Sequence, residues 1–115
     1  MGVLPLLLSL SLLATAEPAP APEASLDVPA DAVGEAGFVA GTLAMQLRHC
    51  GASQAQLDAF FQFERRVAVQ AAGHGPRFDA GFSQGSNHMH ATLAAGHAVP
   101  DAALCRQLWT RLPNR

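Results

Sequence analysis

The chain has no lysine and no tyrosine, a single tryptophan, two cysteines and few charges, 14% of its 115 residues. Beside an apolar share of 50%, so small a charged fraction argues against a disordered polyelectrolyte and for a packed core. Without lysine, all seven fixed positive charges are arginines. Over residues 36–115 they face only Asp58, Glu64, Asp79 and Asp101, whereas Glu17, Glu23, Asp27, Asp31 and Glu35 precede them with no base. A weakly basic body behind an acidic leader lacks the dense basic patch and interleaved aromatics that nucleic-acid binding needs. No stretch alternates strictly between apolar and polar, which leaves no half-buried strand. No Cys-x-x-Cys is present, so thioredoxin-like exchange and covalent haem attachment are not expected.

The longest apolar run, Val3 to Leu13, stops well short of the roughly 20 residues that span a bilayer. It is followed by Ala14-Thr15-Ala16, with small residues at the two positions a signal peptidase inspects. Residues 1–16 therefore read as a cleaved signal peptide, giving an exported product, periplasmic or extracellular, with no stable membrane span. Residues 17–30 begin with proline alternating with alanine, an extended acidic linker poor in the amide donors of regular structure. Residues 31–115 form the remaining domain.

Within that domain the apolar spacing predicts an all-α, up-and-down bundle of about four helices. Asp31 is placed to cap a first helix carrying Phe38, Val39, Leu43, Leu47 and Cys50, which Gly51 stops. Ser53 and Gln56 have the form of a capping box, opening a second helix with Leu57, Phe60, Phe61, Val67 and Ala71 on one face until Gly73. After the turn Gly73-His74-Gly75-Pro76, a third stripe runs through Phe78, Phe82, Met89 and Leu93. Gly85-Ser86-Asn87 are poor helix formers, so Asn87 either caps a fresh helix or lies within a continuous one. Pro100-Asp101 open a last segment with Leu104, Cys105, Leu108 and Leu112 facing one way and Trp109 flanking them. Gly37-x-x-x-Gly41 and Gly81-x-x-x-Gly85 each place two glycines on one face; a tight crossing of the first and third helices is expected, with a homodimer seam as the alternative.

An exported domain with two cysteines most simply pairs them, so Cys50 and Cys105 are expected to form a structural disulfide. His49 adjoins Cys50, but neighbours on a helix diverge by about 100°, a poor geometry for a thiol and its base. Gly81-Phe82-Ser83-Gln84-Gly85 mimics a nucleophile elbow, a motif that has meaning only in a large α/β sheet. No catalytic constellation emerges, and a non-enzymatic function follows as the expectation.

His74, His88, His90 and His97 fall within one short stretch, with Met89 between two of them. Imidazole with thioether suits copper and imidazole alone suits zinc. Residues two apart on a helix point about 200° apart, so a shared ion needs irregular backbone or a second chain. Surface histidines, or proton sensors titrating near about pH 6.5, are the other readings. The primary expectation is a protein-binding module, an inhibitor, immunity-like protein or adaptor by size and class, needing no cofactor. Trp109, Arg65, Arg66, Arg106 and Arg111 are its candidate contacts, because tryptophan and arginine dominate binding hot spots. The alternative is an exported metal-binding protein using the four histidines with copper or zinc.

Overall fold

A computed structural model describes residues 30–113; the segment 1–16, expected to be a signal peptide, and all but the last residue of the expected 17–30 linker lie outside the described residues. Within them the chain is all-helical: α1 (Ala30–His49), α2 (Gln54–Ala72), α3 (Gly75–Ala94) and α4 (Ala102–Trp109). Three long helices run up, down and up, so α1 and α3 are parallel, and the eight-residue α4 closes one end.

The helix ends follow from local chemistry. Ser53 Oγ accepts from the Gln56 amide at 3.1 Å and Gln56 Oε1 accepts from the Ser53 amide at 2.8 Å, the reciprocal capping box that starts α2. Asp101 starts α4 by accepting from the Leu104 amide at 2.8 Å. α1 ends where Gly51 takes φ +98°, and the amides of Cys50, Gly51 and Ala52 return to the carbonyls of Gln46, Arg48 and Leu47. Between α2 and α3 the chain reverses through consecutive left-handed-side residues, Gly73 at φ +77° and His74 at φ +64°, before Pro76 begins α3. Asp31 does not cap α1, which is already helical at Ala30; it sits in the first turn and pairs with Arg77 at 3.3 Å. An acid there still favours the positive end of the helix dipole.

α1 and α3 cross through glycine. Gly37, Gly41, Gly81 and Gly85 are all buried. A Cβ added at Gly37 or Gly41 would run into the Phe78 or Phe82 carbonyl oxygen, and one at Gly81 or Gly85 into that of Gly34 or Phe38. Backbone therefore lies on backbone, the tight internal crossing expected from the two Gly-x-x-x-Gly pairs, and that face is not available as a dimer seam. This contact also explains why α3 runs unbroken through Gly85-Ser86-Asn87. The missing side chain at Gly85 is what lets α3 lie against Phe38, which outweighs a propensity penalty of about 1 kcal/mol. Ser86 Oγ adds a hydrogen bond to the Gly41 carbonyl at 3.4 Å.

The core consists of Val33, Ala40, Ala44, Leu47, Ala52, Leu57, Phe60, Phe78, Leu108 and Leu112, with no buried polar side chain among the described residues. Cys50 and Cys105 are bonded, fastening α4 to the end of α1. Four residues expected on inward stripes face solvent: Leu104 at 36% exposure, Ala71, and, farthest from the core, Val39 at 55% and Val67 at 54%. Val39 is displaced by about 100° from Ala40, the centre of the α1 contact face, and Val67 by a similar angle from Ala68 on α2. With Phe63, 41% exposed, they mark the outer sides of α1 and α2.

Candidate functional site: a cleft between three helices

α2 and α3 touch near their connecting turn. There Phe61, Phe78 and Phe82 form an aromatic cluster, with Phe61 edge-on to Phe82 at 4.7 Å between ring centroids and 5.9 Å from Phe78. Arg65 donates to both Asp79 oxygens, from Nε at 2.7 Å and Nη2 at 3.1 Å. That hydrogen bond raises the Arg65 guanidinium above its ordinary pKa; partial desolvation opposes the shift and the Asp79 charge adds to it. Farther from the turn the two helices leave a cleft of about 620 Å³, floored by α1.

The cleft is divided by polarity. Ala44, Met45, Leu57, Phe61 and Phe82 supply an apolar floor. Gln62 and Asp58 on α2 and Ser83, Ser86 and Asn87 on α3 supply its rims, with Arg48 and Gln54 at one end. Arg48 Nη2 donates to Gln54 Oε1 at 3.1 Å, and Gln54 Nε2 donates to Asp58 Oδ1 at 2.9 Å, so a neutral amide stands between cation and carboxylate. An apolar floor with a few convergent polar groups is the usual make-up of a binding cavity, and the volume lies within the range of such sites. Because the floor rests on the glycine-crossed helix pair, its shape is set before any partner arrives.

The sequence-derived candidates lie elsewhere. Trp109 is half-buried and packs against the core, because α4 is too short to cover that end without it. Arg65 is held by Asp79, Arg66 stands over the Phe63 ring at 6.0 Å, and Arg106 and Arg111 are exposed at the α4 end. None of the five lines the cleft. The four histidines are not gathered either. His74 precedes α3, whereas His88 and His90 lie near its far end, about 20 Å along the axis at 1.5 Å per residue. His88 stacks near Phe38 at 5.8 Å, His90 faces a different groove, and His97 is exposed beyond the helix. Among the described residues no three His, Cys, Asp or Glu side chains converge on a metal position. The helix holds them apart, and the four expected copper or zinc ligands do not converge within one chain. Ser83 sits on an exposed helical rim, and the strand-to-helix elbow its motif requires is absent among the described residues.

The cleft did leave traces in the sequence. Met45 and Arg48, Asp58 and Gln62, and Ser83, Ser86 and Asn87 recur at three- and four-residue spacing beside Phe61 and Phe82, each set on one side of its helix. Comparison with protein-family models, curated proteins and solved structures finds no match to this chain. Among the described residues no helix is long and apolar enough to cross a membrane.

Proposed function

We propose that the protein is an exported, non-enzymatic binding module whose cleft receives an apolar segment of another protein. The observation that carries this reading is the apolar floor between polar rims, where the half-buried Phe61 and Phe82 lie over the buried Leu57. A partner side chain seated there removes that floor from water, at about 25 cal/mol for each Å² of apolar surface buried. Gln62, Ser83, Ser86 and Asn87 offer donors and acceptors that match a peptide backbone. The short apolar leader and the Cys50–Cys105 bond support an oxidising destination.

A photoreactive amino acid at Ser83, an exposed rim position, tests the reading in the exporting cell. Illumination is expected to give a discrete covalent adduct with one protein. Gln62→Trp, which fills the cleft from the opposite rim, is expected to abolish it. The same reactive group at Ala103, exposed on α4, serves as control. Identical adducts from Ser83 and Ala103, or no discrete adduct from Ser83, would exclude the cleft as the contact surface.

A further inference from the structure

The cleft is electrically asymmetric. Met45 and Arg48 line it and also line a smaller groove of about 320 Å³ that contains His49, His90, Leu93 and Ala94. No aspartate or glutamate lines that second groove. Arg48 is exposed and makes no ion pair among the described residues; its hydrogen bond goes to the neutral Gln54. Among the described residues no backbone carbonyl accepts from its remaining donors. His49 comes from α1 and His90 from α3, so two helices bring imidazoles to the groove that Arg48 walls. Each imidazole offers at least one N–H donor in either protonation state. Two carboxylates also line the cleft. Asp79 on α3 is compensated by Arg65, but Asp58 on the α2 rim is bonded only through Gln54.

From this arrangement we infer that the partner segment carries a carboxylate directly beside its apolar anchor, seated at Arg48 with His49 and His90; the inference rests on the cleft being the protein-binding surface. Asp58 repels that carboxylate from the α2 rim, and Arg48 draws it to the α1/α3 wall, so the same charges fix the direction in which the segment lies. Arginine suits the role because its planar fork donates two parallel hydrogen bonds to one carboxylate. A neutral apolar segment would meet the same floor without engaging the guanidinium.

Two capped peptides, acetyl-Ala-Leu-Leu-Phe-Glu-amide and its glutamine counterpart, test the inference by amide chemical-shift titration of the disulfide-intact chain at fixed ionic strength. The glutamate peptide is expected to shift amides of Arg48, His49, Leu57, Phe61 and Ser86, and to bind about ten-fold more tightly than the glutamine peptide. Arg48→Gln is expected to erase that difference, whereas Arg111→Gln, on the α4 side, is expected to leave it intact. Arg48 is exposed, and an unchanged helical spectrum checks that its variant is folded. Equal binding of the two peptides at the cleft overturns the carboxylate inference and leaves the cleft as a binding surface. Persistence of the preference in Arg48→Gln also overturns it. No shift of cleft amides with either peptide overturns both readings together.

Discussion

The glycine crossing gives substitutions of opposite sign on one helix, and that contrast is its sharpest test. A Cβ at Gly41 meets the Phe82 carbonyl oxygen, with the Phe82 carbonyl carbon at 3.0 Å and the Ser86 nitrogen at 2.8 Å. All three are backbone atoms of α3 and have no rotamer by which to withdraw. Accommodating the methyl requires the helices to part by on the order of 1 Å, enough to forfeit a quarter to a half of the dispersion energy at each separated contact. Overpacking of this kind costs about 1 to 3 kcal/mol, against a helix-propensity gain of about 1 kcal/mol for alanine over glycine. Since the obstruction is backbone, the upper part of that range applies, and Gly41→Ala is expected to lose about 1 to 2 kcal/mol net. Gly34 lies on the same helix, but its Cβ would be 3.9 Å from the Arg77 carbonyl oxygen, an ordinary contact. There the propensity gain is unopposed, so Gly34→Ala is expected to stabilise by about 0.5 to 1 kcal/mol. Urea unfolding followed at 222 nm resolves both, and in thermal unfolding each kcal/mol corresponds to about 4 to 8 °C for a domain of this size. Adding Gly85→Ala to Gly41→Ala is expected to cost less than the sum, because the first methyl has already parted the helices. If Gly34→Ala and Gly41→Ala move stability in the same direction, the helices do not cross backbone to backbone at Gly41.

Further expectations rest on other contacts. Replacing Cys50 and Cys105 by serine frees a loop of 55 residues' separation and is expected to cost about 4 kcal/mol on the chain-entropy account; an unchanged urea midpoint would show that the bond contributes nothing. Ser53→Ala removes the hydroxyl of the α2 capping box and is expected to cost about 1 kcal/mol in the same assay. The Arg65–Asp79 pair is half-exposed, so a double-alanine cycle is expected to give only a small coupling that shrinks further with added salt. Because Asp79 raises the Arg65 pKa, any stability from that shift is fully present below the unfolded-state value and is lost only as the pH rises through the still higher folded-state value. That window lies in strong alkali, so the pair should add no slope to a stability profile between pH 5 and 9. Copper or zinc added to tag-free protein is expected to perturb the four histidines independently; a one-to-one complex broadening the resonances of three or more together would contradict their separation along α3.

What could be read from the sequence was what depends on residues close in the chain or on chemistry with one solution. The Ser53–Gln56 box, the stop at Gly51 and the start at Asp101 are local, and two cysteines admit one pairing. The glycine pairs were legible because removing every side chain from one face has little other use in a helix. Val39, Val67, Ala71 and Leu104 were misplaced because each helix is amphipathic over a broad arc, and the direction of closest approach within that arc is chosen by the partner helix. Trp109 and the arginines were weighted by their frequency in interfaces, but an eight-residue α4 needs Trp109 for its own packing, and Arg65 is used by Asp79. The histidines were neighbours only in number; a straight helix turns fourteen positions of sequence into about 20 Å. The cleft needed the relative tilt of α2 and α3, which the Phe61–Phe78–Phe82 cluster sets and no single segment encodes.

The parallel α1/α3 pairing also sets the order in which the chain completes itself. α1 and α2 emerge first during synthesis, but α1 has its glycine face prepared for a helix more than forty residues downstream, and an α1/α2 hairpin leaves that face without its close-fitting partner. Nothing stable is expected until α3 has been made, and Cys50 must wait longer still for Cys105, which follows α3 on α4. The α1/α3 crossing thus joins segments of long sequence separation even though the fold is all-helical, and forming it forfeits part of the speed that local contacts give. Late closure leaves α1 and α2 without their partners until α3 and α4 are present, and the Cys50–Cys105 bond then locks a structure that the earlier segments were unable to form alone.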